Sequence, residues 1–249
     1  MDFNLSGKVA IVTGGGGGLG AAISEVLAAE GANVMINYIV DERKVMEFVE
    51  SLNKKYESKA ISLYGNISDE NDIDNIFNKA NEVYGKVDIL VNCAGVWPKA
   101  YVKDMEVKDF RRTLKVNLEG PFMLSKKMVN HLIERKSKGK IVNIVSQAAF
   151  HGSTSGHAHY AASKGGLVTF TVSLAREVAK YGINVTAVAP GIMRTSMIGD
   201  NPEKYIDRIP LKRISEPEEV AYTVAFLASD KADYITGATI DVTGGMLMR

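Results

Sequence analysis

The sequence predicts an α/β protein: a doubly wound parallel sheet with helices on both faces, as a single domain over residues 1–249. Three observations predict it. Short apolar runs alternate with helix-period segments along the whole chain, the signature of successive strand–helix–strand units. A glycine-rich turn joins the first run to the first helical segment. No linker, repeat or low-complexity stretch interrupts the alternation, and 249 residues with 46% hydrophobic content suffice for one core.

Taken in order, Lys8 to Thr13 is an apolar run of the kind that forms a strand buried on both faces. Leu19 to Glu30 has helical period, and Gly31 ends it. Asn33 to Tyr38 is the second strand. Asp41 to Tyr56 is a helix with Val45, Phe48, Val49 and Leu52 on its inner face, and Ala60 to Tyr64 is the third strand. Ser68 is placed to cap the helix from Asp69 to Tyr84, whose first turn is acidic. Val87 to Asn92 is the fourth strand. Val107 to Arg135 reads as a long helical stretch with a break near Gly120-Pro121. Lys140 to Val145, Asn184 to Ala189 and Thr239 to Val242 complete the strands. Tyr160 to Tyr181 and Pro217 to Ser229 complete the helices, the second with proline in its first turn.

Composition narrows the function classes. Net charge is +1, so nothing points to nucleic acid or an anionic membrane surface. One cysteine, Cys93, allows neither a disulfide framework nor a cysteine-based metal site, and no metal is expected. No apolar stretch reaches membrane-spanning length, and Met1 to Gly7 lacks a signal-peptide run. The expectation is a cytoplasmic protein acting on small molecules.

Thr13 to Gly20 reads Thr-Gly-Gly-Gly-Gly-Gly-Leu-Gly between the first strand and the first helix. There, glycines let the backbone approach a pyrophosphate whose charge the helix N-terminus stabilises. The spacing that matters is Gly14, Gly18 and Gly20, with Leu19 opening the helix. The end of the second strand sets which nicotinamide cofactor fits, through a carboxylate for a ribose diol or a cation for a phosphate. Asn37, Tyr38 and Ile39 are neither, and Gly17 stands where an arginine would help hold a phosphate. Asp41 is near enough for the diol, and Arg43 is the nearby cation. An unpaired buried phosphate costs more than a diol with neutral partners, so NAD(H) is favoured over NADP(H).

Tyr160-Ala161-Ala162-Ser163-Lys164 places a phenol and an ammonium on one helix face. A fixed positive charge favours phenolate and pulls the tyrosine pKa towards neutrality, which suits general acid–base work. Such a pair is common by chance; its weight comes from the rest of the chain.

With the glycine turn, Asn92-Cys93-Ala94-Gly95, Tyr160/Lys164 and Pro190-Gly191 in this order, the chain resembles the short-chain dehydrogenases/reductases, in their single-domain branch, over essentially its whole length. The resemblance implies a Rossmann-like fold and a catalytic set of Asn117, Ser146, Tyr160 and Lys164. Asn92, Ala94 and Gly95 match a turn that passes the adenine ribose, with Cys93 in place of a second asparagine. Asn66-Ile67 matches an Asp-Val pair beside the adenine. Pro190, Gly191, Ile192 and Thr195 match a loop on the nicotinamide carboxamide and pyrophosphate. Tyr160 would exchange a proton with the substrate oxygen, Lys164 would hold the cofactor ribose and lower the tyrosine pKa, Ser146 would steady the oxygen, and Asn117 would hold a water. The resemblance also implies a homotetramer, with residues 236–248 near an interface.

The loop Gln147 to His159 is pinned at both ends by this chemistry, so part of it must line the substrate pocket. His151, His157 and His159 are expected to be exposed or substrate-contacting. Trp97 is a second wall, and residues 193–212 are expected to form a lid. The leading expectation is an NAD(P)(H)-dependent oxidoreductase for a secondary alcohol or ketone of hydroxysteroid, cyclic-alcohol, sugar or polyol type. The alternatives are a 3-oxoacyl-thioester reductase serving an acidic carrier protein, with Arg112, Lys115, Arg135, Lys136 and Arg176 as surface cations, and a silent dinucleotide-binding scaffold.

Overall fold

The structure is a computed structural model that describes residues 3–199 and 201–249. Met1, Asp2 and Asp200 lie outside the described residues, and so do the first two positions of the Met1–Gly7 reading, one position of the 193–212 segment and the Pro202 side chain.

Seven strands form one sheet: β1 (Val9–Val12), β2 (Asn33–Tyr38), β3 (Ala60–Tyr64), β4 (Ile89–Asn92), β5 (Gly139–Ile144), β6 (Ile183–Pro190) and β7 (Thr239–Val242). All pairings are parallel, in the order β3-β2-β1-β4-β5-β6-β7. Successive side chains of a strand point to opposite faces. Ala10 and Val12 therefore enter one core, against α1 (Gly18–Ala29), α2 (Glu42–Lys55) and α8 (Pro217–Ala228), whereas Ile11 enters the other. That second core is filled by α3 (Glu70–Tyr84), α5 (Gly120–Glu134) and α7 (Ala158–Val178). The doubly wound expectation holds.

The chain runs outward from β1 to β3 and then returns to the other side of β1 at β4. This reversal opens a crevice at the carboxyl ends of β1 and β4, where open α/β sheets bind ligands. Thr13 fastens the two strand ends together. Its Oγ1 accepts from the Cys93 and Ala94 amides at 3.0 and 3.1 Å.

Three local expectations change. Asp69, not Ser68, caps α3, its carboxylate accepting from the amides of Asn71 and Asp72. The long helical stretch does not break at Gly120-Pro121. It comprises α4 (Val107–Leu114), a π turn (Lys115–Glu119) and α5, running on without interruption. Pro121 sits in the first turn of α5, and the one wide turn is what disturbs the period. Gly120 is needed for close approach, since a Cβ there would lie 2.6 Å from the Ile67 carbonyl oxygen. A short helix, α6 (Ala148–His151), also forms within the Gln147–His159 loop. No helix among the described residues is long and apolar enough to cross a membrane.

Candidate active site

A cleft of about 1290 Å³ opens at the crevice. Along one side runs the glycine turn. Gly14 and Gly18 have φ of +62° and +50°, a region that favours glycine. A Cβ on Gly20 would come within 2.0 Å of the Gly14 carbonyl oxygen, so helix and turn pack backbone to backbone. The Ser24 hydroxyl donates to the Gly15 carbonyl at 3.0 Å and steadies the turn. No side chain among the described residues caps the N-terminus of α1. Its first amides are left for an anion, and the helix dipole favours one there. These features fit the pyrophosphate of a dinucleotide.

Of the residues expected at the cofactor, Gly14, Gly18, Leu19, Gly20, Tyr38, Asn66 and Ile67 line the cleft. So do Ala94, Gly95, Pro190, Gly191, Ile192 and Thr195. Asn92 does not. Its amide donates to Asn143 Oδ1 at 2.8 Å and to Ser125 Oγ at 3.3 Å inside the fold, so it braces the sheet behind the cleft. At the end of β2, the Asn37 amide is occupied by the Gly65 carbonyl at 2.8 Å. Tyr38 donates its hydroxyl to Glu42. Asp41 lines the cleft, whereas Arg43 lies off it, paired with Glu47 at 2.9 Å.

The four expected catalytic residues converge. Tyr160 and Lys164 share one face of α7, with Nζ 5.9 Å from the phenol ring centroid. Ser146, just beyond β5, hydrogen-bonds the Tyr160 hydroxyl. Lys164 Nζ donates to the Ile144 carbonyl at 2.7 Å. Asn117 lies fully buried in the π turn, its Oδ1 accepting from the Val96 amide at 2.9 Å. Its Nδ2 donates to the Val96 carbonyl and to Ser163 Oγ, and Ser163 in turn donates to the Tyr160 carbonyl at 2.7 Å. Asn117 thus ties the turn after β4 to the helix bearing Tyr160. Ser163 carries no assigned role in the sequence reading, although it stands inside the Tyr160–Lys164 stretch.

The electrostatics depart from expectation. Burial pushes the Tyr160 phenol above its usual pKa, and only the Ser146 hydrogen bond works in the lowering direction. The same burial brings the Lys164 ammonium down to about 8. Desolvation penalises whichever form is charged, and here it is the largest cause of both shifts. Cys93, beside them, has its thiol pushed up to about 12 by burial, with Lys164 opposing.

On the substrate side, the Trp97 indole stacks on His157 with centroids 4.1 Å apart and planes 12° apart. It meets the Tyr160 ring edge-on at 6.4 Å. His157 Nδ1 donates to the Pro98 carbonyl at 2.8 Å, which fixes the stack. His157 and His159 are buried and neither lines the cleft, contrary to expectation. Burial lowers the pKa of both rings, favouring the neutral form. Only His151 of the three borders the cleft. From residues 193–212, Met193, Met197, Ile198 and Tyr205 face it, and Ile206 does not. Along α4 and the π turn, Lys108, Arg111, Arg112 and Lys115 form a cationic edge.

A doubly wound sheet, an uncapped helix behind a glycine turn and a Tyr–Lys pair facing it make up a dinucleotide-dependent oxidoreductase site. The comparisons give the family. A family model described as Enoyl-(Acyl carrier protein) reductase matches residues 15–247. The chain is 40% identical to the 3-oxoacyl-[acyl-carrier-protein] reductase FabG of Aquifex aeolicus, over 99% of this chain and 100% of that one. It is 39% identical to the enzyme of the same name from Escherichia coli, again over 99% and 100%. A short-chain dehydrogenase from Burkholderia cenocepacia, solved in complex with NADP, superposes with a TM-score of 0.91 at 31% identity, covering 98% and 99% of the two chains. The protein belongs to the short-chain dehydrogenase/reductase family, and it is an NAD(P)-dependent oxidoreductase.

Proposed function

We propose that this enzyme reduces 3-oxoacyl thioesters of the kind borne by an acyl carrier protein. The observation that carries this reading is the cationic edge. Arg111, Arg112 and Lys115 line the cleft, and none has an ion-pair partner among the described residues. A carrier arm brings a phosphodiester to the mouth of the cleft on an acidic protein, which is the chemistry unpaired cations at an entrance recognise. Arg135, Lys136 and Arg176, grouped with them in the sequence reading, do not line the cleft. The whole-length similarity to 3-oxoacyl-[acyl-carrier-protein] reductases supports the same reading over the hydroxysteroid, sugar or polyol one that the sequence put first.

A reduced nicotinamide cofactor, its pyrophosphate held at the glycine turn, would supply the hydride for the 3-oxo carbon. Tyr160 gives its phenolic proton to the carbonyl oxygen. Its raised pKa keeps that proton in place at neutral pH, so the acid is loaded before the reaction. Ser146 donates a second hydrogen bond to the same oxygen, stabilising charge as it develops. Lys164, protonated below about pH 8, stands beside the phenolate that forms and would hold the ribose of a bound cofactor. Asn117 and Ser163 hold the Tyr160 helix against the turn at Val96, keeping donor and cleft in register. All four catalytic side chains being present argues against the silent scaffold.

At the adenosine end, the acid Asp41 borders the cleft, and Arg43, exposed and paired with Glu47, lies off it. This supports NADH binding more tightly than NADPH. Residues 193–212 are proposed as the lid, with Arg194 pairing with Glu203 inside it and Glu216 beyond it. Self-association as a homotetramer, with residues 236–248 at an interface, completes the proposal; Met248 is exposed in the single chain.

The test follows nicotinamide absorbance with 3-oxobutanoyl thioesters and each reduced cofactor. Thioester reduction is the expected result. Oxidation of secondary alcohols or polyols with no thioester turnover would overturn the reading.

A further inference from the structure

Four side chains carry buried polar atoms without any hydrogen-bond partner among the described residues: Asn92, Ser137 and His159, all off the cleft, and Gln147, on it. A buried acceptor left unpaired is costly, and in a native protein it calls for an explanation. Gln147 follows Ser146 directly and lines the same cleft. Its backbone is pinned, the amide donating to the Pro190 carbonyl at 3.1 Å. Its side chain is not. Nε2 reaches only the soft thioether of Met246 at 3.8 Å, and Oε1 reaches nothing.

Met246 lines the cleft as well and belongs to a segment that follows two glycines at positive φ, Gly244 and Gly245. That segment is anchored further on. Arg249 bonds both carboxylate oxygens of Asp241 at 2.9 and 3.0 Å, and its guanidinium lies 3.7 Å from the centroid of Phe150 in α6. A flexible methionine is therefore the one weak hydrogen-bond partner of this amide among the described residues, and Oε1 has none there. Methionine readily re-packs around a ligand.

We propose that Gln147 is a specificity-determining residue whose Oε1 accepts a hydrogen bond from an N–H or O–H of the substrate beyond the reacting carbon. Resting on the thioester reading, the donor is the amide N–H of the carrier arm, which follows the sulfur after two methylenes. Such a site discriminates against substrates that lack the donor, because binding them leaves Oε1 buried and unpaired.

The test compares wild type with Gln147→Leu and Gln147→Glu on three probes. These are 3-oxobutanoyl-N-acetylcysteamine, with an amide N–H; ethyl 3-oxobutanoate, with no donor; and 3-hydroxy-2-butanone, with a hydroxyl next to the carbonyl. Cofactor Kd, read by nicotinamide fluorescence, reports whether each variant retains its fold. We expect Gln147→Leu to lose about tenfold in kcat/KM on the thioester, equivalent to about 1.4 kcal/mol. The ester changes less than about twofold, cofactor Kd is unchanged, and Gln147→Glu, which keeps an acceptor, recovers part of the loss. A loss confined to the hydroxyketone would keep Gln147 as the acceptor while sinking the thioester reading. Equal losses on all three probes, or none, would overturn the proposal.

Discussion

The dinucleotide half of the cleft and its substrate half are built by different means. In the first, backbone does the shaping: Gly14 and Gly18 at positive φ, Gly20 packed on Gly14, and an uncapped α1. Thr13 and Ser24 hold that backbone from close by. In the second, side chains from distant parts of the chain make the walls. Trp97 stacks on His157, Gln147 touches Met246 and Phe150 supports Arg249. A backbone cradle recognises what all dinucleotides share, whereas a wall of paired side chains can change one residue at a time. The two halves meet at Tyr160 and Lys164.

Breaking the cradle should have the largest effect. Gly20→Ala puts a methyl where 2.0 Å separates it from the Gly14 oxygen, so the turn must shift. Overpacking of this kind costs about 1–3 kcal/mol. Titration with NADH should show binding lost, or Tm lowered by several degrees; unchanged binding and Tm would break the account of the cradle. Asn117→Ala comes next. It removes two part-buried hydrogen bonds, to the Val96 amide and carbonyl, at about 1 kcal/mol each. Denaturant melts should show the loss, together with reduced turnover as the Tyr160 helix slackens.

Lys164 sharpens the comparison through pH. Its pKa falls from 10.5 to about 8 on folding, so the unfolded chain binds the proton more tightly. The penalty is full below about pH 8 and fades as pH rises towards 10.5. At 1.36 kcal/mol per unit, it amounts to about 3 kcal/mol. Losing the bond to the Ile144 carbonyl offsets part of that. Lys164→Met should therefore be inactive yet melt higher than wild type at pH 6.5, by about 1 kcal/mol. The margin should shrink between pH 8 and 10. A variant less stable at pH 6.5, or a margin that grows with pH, would contradict the burial account. The smallest effect belongs to a wall: His157→Leu removes the partner of Trp97, worth about 0.5–1.5 kcal/mol as an aromatic contact. It should raise substrate KM several-fold without moving cofactor Kd.

The cradle was readable in the sequence because its determinants are local. Glycines between a strand and a helix, or a tyrosine and lysine four apart, announce themselves by position. Asn117 was readable as a residue but its π turn was not, because one widened turn looks like a break in period. The walls at Trp97 and in the Gln147–His159 loop were readable, but their pairings were hidden because the partners lie far apart in the chain; nothing near Gln147 points to Met246, nor near Phe150 to Arg249. Histidine exposure was misjudged for the same reason: His157 is buried by Trp97, and His159 by the packing of α7. The pKa of Tyr160 depends on how dry its surroundings are, which spacing alone does not state.

The most direct test is Tyr160→Phe, measured for cofactor affinity and thioester turnover in the same preparation. The two-half account predicts an unchanged cofactor Kd, since the cradle is intact, and a kcat lower by about 10²–10⁴. Retained turnover would remove Tyr160 as the acid. Lost cofactor binding would show that the two halves are not separable.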